Sequence, residues 1–207
     1  ATPFLQKPTE FGIDIVTHSA TKYIDGQGRV LGGLVLGSAE YIKKVETFCR
    51  STGPTISPFN AWTLSKSLET LEVRMERHCD SANKLANALE SHPEIESVKY
   101  PFLLSHPQYD TAQKQMSKGG GIVTFELKGG LKRGVDFLDN LKTCSLTANL
   151  GDSRTIVSHP ASTTHYKLSE EERSEVGITP GLIRVSVGLE SIIDIISDIE
   201  QALNASK

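Results

Sequence analysis

The stretch Ile13-Asp14-Ile15-Val16-Thr17-His18-Ser19-Ala20-Thr21-Lys22-Tyr23 joins a β-branched run to a lysine flanked by hydroxyls. Residues 13–19 predict a short buried strand. Lys22 then falls just past the carboxyl end of that strand, where open α/β sheets bind their ligands. Ser19 and Thr21 carry hydroxyls suited to a phosphate, or to capping a strand end. A lysine desolvated in such a crevice becomes a nucleophile able to form an imine, although the same few residues also suit a solvent lysine after a strand. His18 alternates to the face opposite Ser19, which predicts a packing role.

Downstream, Arg29 to Gly37 is apolar with three glycines, Gly32, Gly33 and Gly37, and predicts a second strand at a close backbone approach. Ser38 caps a helix over 39–48, with Glu40 early in it, where its charge suits the dipole. Residues 51–58, STGPTISP, read as a loop. Ala61, Leu64, Leu68, Leu71, Met75, Cys79, Ala82, Ala86 and Leu89 then follow steps of three and four. This is one stripe on a very long helix, or on two helices nearly end to end, and a domain boundary is expected within it near residue 72.

The remainder alternates. Strands are expected over 95–100, 121–127, 144–146, 155–158 and 182–187. Helices are expected over 106–116 and 131–141, after Ser169, which has a capping-box look with Glu172, and along Ile192, Ile195, Ile196, Ile199 and Leu203. The class is α/β passing into α+β.

Composition bounds the function. The chain has 207 residues, a net charge of −3, 38% hydrophobic and 23% charged residues, as an ordinary folded protein does. No apolar run approaches the ~18 residues of a membrane span. Mixed charge argues against a nucleic-acid or polybasic membrane surface. Cys49, Cys79 and Cys144 are few and odd in number, which predicts reduced thiols in a cytoplasmic protein. Six scattered histidines and no CxxC or HExxH spacing make a metal site an unpromising expectation. The start, Ala1-Thr2-Pro3-Phe4-Leu5, reaches the lysine segment so quickly that the chain is expected to begin inside something longer.

The blocks ATP at 1–3, HSATKY at 18–23, the Gly-rich return, NLGD at 149–152, HPASTTH at 159–165 and LIRVSVGLE at 182–190 occur in one order. Together they resemble the pyridoxal-phosphate enzymes of cysteine and methionine metabolism, from residue 1 to about residue 204. That family includes cystathionine γ-synthase, cystathionine γ-lyase, methionine γ-lyase and the O-acylhomoserine sulfhydrylases. The resemblance implies an aspartate-aminotransferase-like fold (fold type I). Residues 1–72 would be the end of a large cofactor domain, and 73–207 a small α+β C-terminal domain. It implies pyridoxal 5′-phosphate as cofactor, Lys22 as its Schiff-base lysine and proton shuttle, and Ser19 and Thr21 as phosphate-binding hydroxyls. It implies that Arg184, a charge among Leu182, Ile183, Val185 and Val187, takes the substrate α-carboxylate, helped by Asn149.

Within the family, Arg50-Ser-Thr-Gly53-Pro-Thr-Ile-Ser-Pro-Phe-Asn-Ala-Trp62 resembles the O-succinylhomoserine sulfhydrylase branch. Many lyases and γ-synthases carry Ser where this chain has Asn149, and lyases usually show Gly-His-(Gly/Ser)-Asp where it has Gly26-Gln27-Gly28-Arg29. The implied reaction is γ-replacement of succinate by sulfide to give homocysteine, with methionine γ-lyase, cystathionine γ-synthase and O-acetylhomoserine sulfhydrylase activities as alternatives. The family's ring-stacking aromatic, its pyridinium-partner Asp and its phosphate-binding backbone amides fall upstream of residue 1. The implied partners are an amino-acid substrate, the upstream half of the same enzyme and further copies in a dimer of dimers. A catalytically incomplete fragment or interaction module is the reading of another class. Ser158, His159 and Thr164 are expected to be structural, as are the three cysteines.

Overall fold

The computed structural model describes residues 2–207, so the Ala1 of the opening block lies outside the described residues. The first strand is β1 (Val16–Ser19), shorter than the predicted run, and it pairs antiparallel with β2 (Gly33–Leu36), Val16 opposite Leu36 and Ser19 opposite Gly33. Among the described residues these strands pair only with each other. The expected burial of this strand is therefore not seen among the described residues. β1 is alternately half-buried and exposed, and Ile13, Ile15, Leu31, Val35 and Leu36 are exposed around it. Two strands alone cannot cover both of their faces.

Helix α1 (Ala39–Thr52) begins at Ser38, whose Oγ accepts from the Tyr41 N–H, and stops at Gly53. Gly53 is left-handed (φ 93°) and returns its N–H to the Cys49 carbonyl. The long stripe is carried by two helices, α2 (Pro58–Leu68) and α3 (Leu71–Glu90). The break at residues 69–70 resets the phase. α2 buries Thr63, Leu64 and Ser67 rather than Ala61 and Leu68, whereas α3 keeps Met75, Cys79, Ala82, Leu85, Ala86 and Leu89 inside.

The rest is built on a five-stranded sheet of order β3-β4-β7-β6-β5. Its strands are β3 (Ile95–Lys99), β4 (Ile122–Leu127), β5 (Ser145–Leu146), β6 (Ile156–Ser158) and β7 (Leu182–Ser186). All pairs are antiparallel except β5 with β6. Strand alternation divides the side chains between two faces. Val123, Phe125, Leu127, Val157, Ile183 and Val185 meet α3, α5 (Gly130–Asp139) and α7 (Ile192–Ala205) in one core. Phe125 packs edge-on against Phe137 there, centroids 5.9 Å apart. The opposite face carries Thr124 and Arg184, which are register partners. Two short helices, α4 (Tyr109–Gln115) and α6 (Glu170–Glu175), lie in the connections, α6 opened by the Ser169–Glu172 capping box. No helix among the described residues is long and apolar enough to cross a membrane.

Asp198 of α7 holds the turn that leads into β5. Its carboxylate accepts the N–H groups of Lys142, Thr143 and Cys144 at 2.9, 2.9 and 2.8 Å. Burial pushes its pKa up, but these bonds outweigh burial and hold it below the usual carboxylate range. A lowered folded-state pKa means stabilisation that is present above the unfolded value and lost as pH falls through the folded one. Asp198→Asn is therefore expected to lower stability by about 1.5–3 kcal/mol at neutral pH. In urea titrations across pH, the gap between parent and variant should close below about pH 4.

Candidate active site

The chain leaves β1 in a tight turn. Lys22 N–H returns to the Ser19 carbonyl, Asp25 N–H to Ala20 and Gly26 N–H to Lys22 (3.4, 2.9 and 2.8 Å). The carbonyls of Tyr23 and Ile24 are taken instead by Arg74 of α3, which donates to them at 2.6 and 3.2 Å and to the Ser67 carbonyl at 2.9 Å. Arg74 is buried, and its pKa is lowered by burial and then by the nearby Arg29 charge. Gly26, at φ 73°, is the only residue type that fits both its own backbone and the guanidinium against it. Buried Asp25 accepts from the Arg29 backbone and Nε, at 2.7 and 3.1 Å, and so ties down the next loop.

A second loop, between β5 and β6, docks on this turn. Gly151 is left-handed (φ 75°), and a Cβ there would stand 2.7 Å from the Tyr23 nitrogen. Its N–H donates to Ser186 Oγ at 2.9 Å, and Ser153 N–H donates to the Gly26 carbonyl at 2.8 Å. The docking brings Lys22 Nζ to 2.6 Å from Asn149 Oδ1, a neutral acceptor. Arg184 reaches the same loop from β7, donating through Nη2 to the carbonyls of Ala148 and Asn149 at 3.2 and 3.1 Å. Its Nε is buried without a partner, and no carboxylate among the described residues forms an ion pair with it. Burial lowers its pKa, as it must for a cation lacking a counter-ion. A guanidinium so placed favours an incoming carboxylate.

Three of the residues singled out by sequence, Lys22, Asn149 and Arg184, thus come together from separate elements. Ser19 and Lys22 share a cavity of about 330 Å³ with Thr2, Thr17, His18, Tyr23, Ile24, Ile122 and Leu150. Along β1 His18 is half-buried and Ser19 exposed, the alternation expected of a strand. Thr21 is not on the cavity lining: its hydroxyl accepts the Gly32 N–H at 3.0 Å and faces the Gly32 carbonyl at 3.4 Å, fastening the turn to β2. The Ser19 hydroxyl makes no hydrogen bond to the described residues. Tyr23 is buried edge-on to His78 at 5.3 Å, and burial pushes its phenol up to about 12. His78 shares a proton with the Val187 carbonyl (Nδ1 to O, 2.6 Å), and burial holds its pKa below the usual value. Cys79 and Cys144 are buried with raised thiol pKa values, Cys79 about 11, as inert core thiols are. His159 is buried between Pro180 and Ser162, away from the lysine.

Arg74 and Asp25 were missed by the sequence reading. The signal for Arg74 was present, since it stands three residues after Leu71 on the buried face of α3, where an unpaired charge is expensive. Asp25 gives no such signal.

Residues 1–204 match the family described as "Cys/Met metabolism PLP-dependent enzyme". The O-succinylhomoserine sulfhydrylase of Pseudomonas aeruginosa is 50% identical over 204 residues, 99% of this chain and 51% of that protein. The L-methionine gamma-lyase of Fusobacterium nucleatum is 48% identical, covering 98% of this chain and 52% of its own length. The crystal structure of cystathionine gamma synthase from Xanthomonas oryzae superposes with a TM-score of 0.94 at 37% identity, over 99% of this chain and 53% of that one. The chain belongs to the Cys/Met metabolism PLP-dependent family, and its fold is that of the matching half of a fold type I enzyme. It spans about half the length of the curated relatives it matches. The family uses pyridoxal 5′-phosphate. The free Ser19 hydroxyl, the Lys22 amine on a neutral partner and the orphaned Arg184 Nε fit a phosphate, an aldehyde and a substrate carboxylate respectively.

Gly177 is also left-handed (φ 74°), but an added Cβ there meets nothing within 4 Å. Gly177→Ala is expected to cost only the backbone strain, about 1–3 kcal/mol. Gly151→Ala pays the same strain and also separates the two loops, so thermal unfolding should rank it clearly the less stable of the two.

Proposed function

We propose that the full-length protein replaces the succinyloxy group on the γ-carbon of O-succinylhomoserine with sulfide, breaking the Cγ–O bond, forming a Cγ–S bond and yielding homocysteine and succinate. The observation that carries the reading is the meeting of Lys22 with Asn149, 2.6 Å apart, on a loop that also receives the uncompensated guanidinium of Arg184. Lys22, Ser19 and Thr21 would hold pyridoxal phosphate, the Thr21 hydroxyl also accepting the Gly32 N–H that keeps the turn closed. When bound, that cofactor supplies an electron sink for the carbanion formed at the substrate α-carbon. Lys22 supplies the proton shuttle: a flexible amine beside a neutral amide oxygen can take a proton from the α-carbon and return one further along the substrate. Arg184 fixes the α-carboxylate, which sets which bond at the α-carbon faces the lysine. Asn149 aims the amine and narrows the site around the carboxylate.

Residues 1–72 are read as the end of a larger cofactor-binding domain, and 73–207 as the small domain that closes over it. The site is completed by the upstream half of the protein, in a dimer of dimers working in the cytoplasm. The choice of the sulfhydrylase rests on the 50% identical relative and on the Arg50–Trp62 segment. A methionine γ-lyase is the second reading, favoured by a relative at 48% identity.

Incubating the full-length protein with O-succinylhomoserine and sulfide is expected to release homocysteine. Methanethiol released from methionine, with no homocysteine formed, would move the assignment to the lyase. Borohydride reduction followed by peptide mapping should find the cofactor on Lys22, and none on the Lys22→Ala protein. Arg184→Lys keeps the charge but loses the fork, and is expected to raise KM about tenfold or more with a smaller change in kcat.

A further inference from the structure

Arg184 belongs to a row. The sheet registers place Lys99 opposite Thr124, Thr124 opposite Arg184, and Arg184 opposite Ser158. Cross-strand partners share a face, so Lys99, Thr124 and Arg184 all stand on the side turned away from the helices. Two strand spacings of about 4.8 Å separate the cations, which are therefore rooted about 10 Å apart. Lys99 forms no ion pair among the described residues. Two carboxylates, Glu96 and Glu126, lie along the same groove. Glu126 is occupied by the Thr179 hydroxyl and by the Gly181 N–H at 3.2 Å.

Lys99 also lines a separate cavity of about 330 Å³, together with His106 and Thr124. This cavity and that of Lys22 share Tyr23 and Ile122, so the second opens beside the first. His106 Nδ1 accepts the Gln108 N–H at 3.2 Å, which leaves Nε2 as the protonated nitrogen of the neutral ring, able to donate.

We propose that Lys99, with His106 beside it, anchors a second carboxylate on the substrate, the distal one of its acyl arm. This rests on the reading above, in which Arg184 takes the α-carboxylate. In O-succinylhomoserine, eight bonds join the two carboxyl carbons, an extended span of about 10 Å, similar to the spacing at which the two side chains are rooted on the sheet. An acetyl ester ends in a methyl group and leaves Lys99 without a partner. The pair of cations thus selects dicarboxylate substrates over monocarboxylate ones.

The test is titration of the cofactor-loaded full-length protein, without sulfide, with O-succinyl-L-homoserine and O-acetyl-L-homoserine, followed by the absorbance of the cofactor. The parent is expected to bind the succinyl ester about tenfold or more tightly than the acetyl ester. Lys99→Gln should bring that ratio close to one, while Lys99→Arg should keep most of it. Equal binding of the two esters by the parent, or an unchanged ratio in Lys99→Gln, overturns the proposal. Failure of the functional reading looks different: the cofactor-loaded parent would still bind the succinyl ester preferentially but form no homocysteine with sulfide.

Discussion

The docking of the Gly151 loop on the Lys22 turn is the contact on which the rest of the site depends. Gly151 approaches the Tyr23 nitrogen more closely than any side chain would permit, and its left-handed backbone would strain any other residue. That approach places the Asn149 side chain over the lysine amine and its carbonyl within reach of Arg184. A shift of an ångström at this contact would separate the amine from the carboxylate site, and reacting groups tolerate little such misplacement.

Arg74 secures the other side of the turn. Its donors serve two carbonyls of the Lys22 turn and one at the end of α2, so a single buried cation joins the lysine to the helix pair that links the two halves of the chain. A buried charge held by three carbonyls and the Thr70 hydroxyl is costly to leave unpaired, so the turn and the guanidinium constrain each other. Arg184 is the contrasting case. Its carbonyl partners occupy only part of its fork and its Nε has none, which leaves an anion site open where Arg74 is closed.

The surface of the first seventy residues has the opposite character. Phe59 and Trp62 on α2 and the apolar residues around β1 and β2 are exposed, whereas the five-stranded sheet buries a continuous core against its helices. A two-stranded sheet is marginal alone, and the relatives are about twice as long. Both facts agree with a site that is finished by more protein than these residues supply.

The sequence by itself determined the element order, most element ends to within a few residues, the family, and the three residues at the centre of the site. Those features depend on periodicity, capping residues and short motifs, which are local in the chain. It misjudged the burial of β1 and the phase of α2, because each depends on what lies against the residue rather than on its neighbours in sequence. Only the tertiary structure decided that the Thr21 hydroxyl serves Gly32, that Arg74 holds the lysine turn and that Lys99 shares a row with Arg184. These rest on contacts between residues eleven to sixty positions apart, fixed by strand register and loop docking.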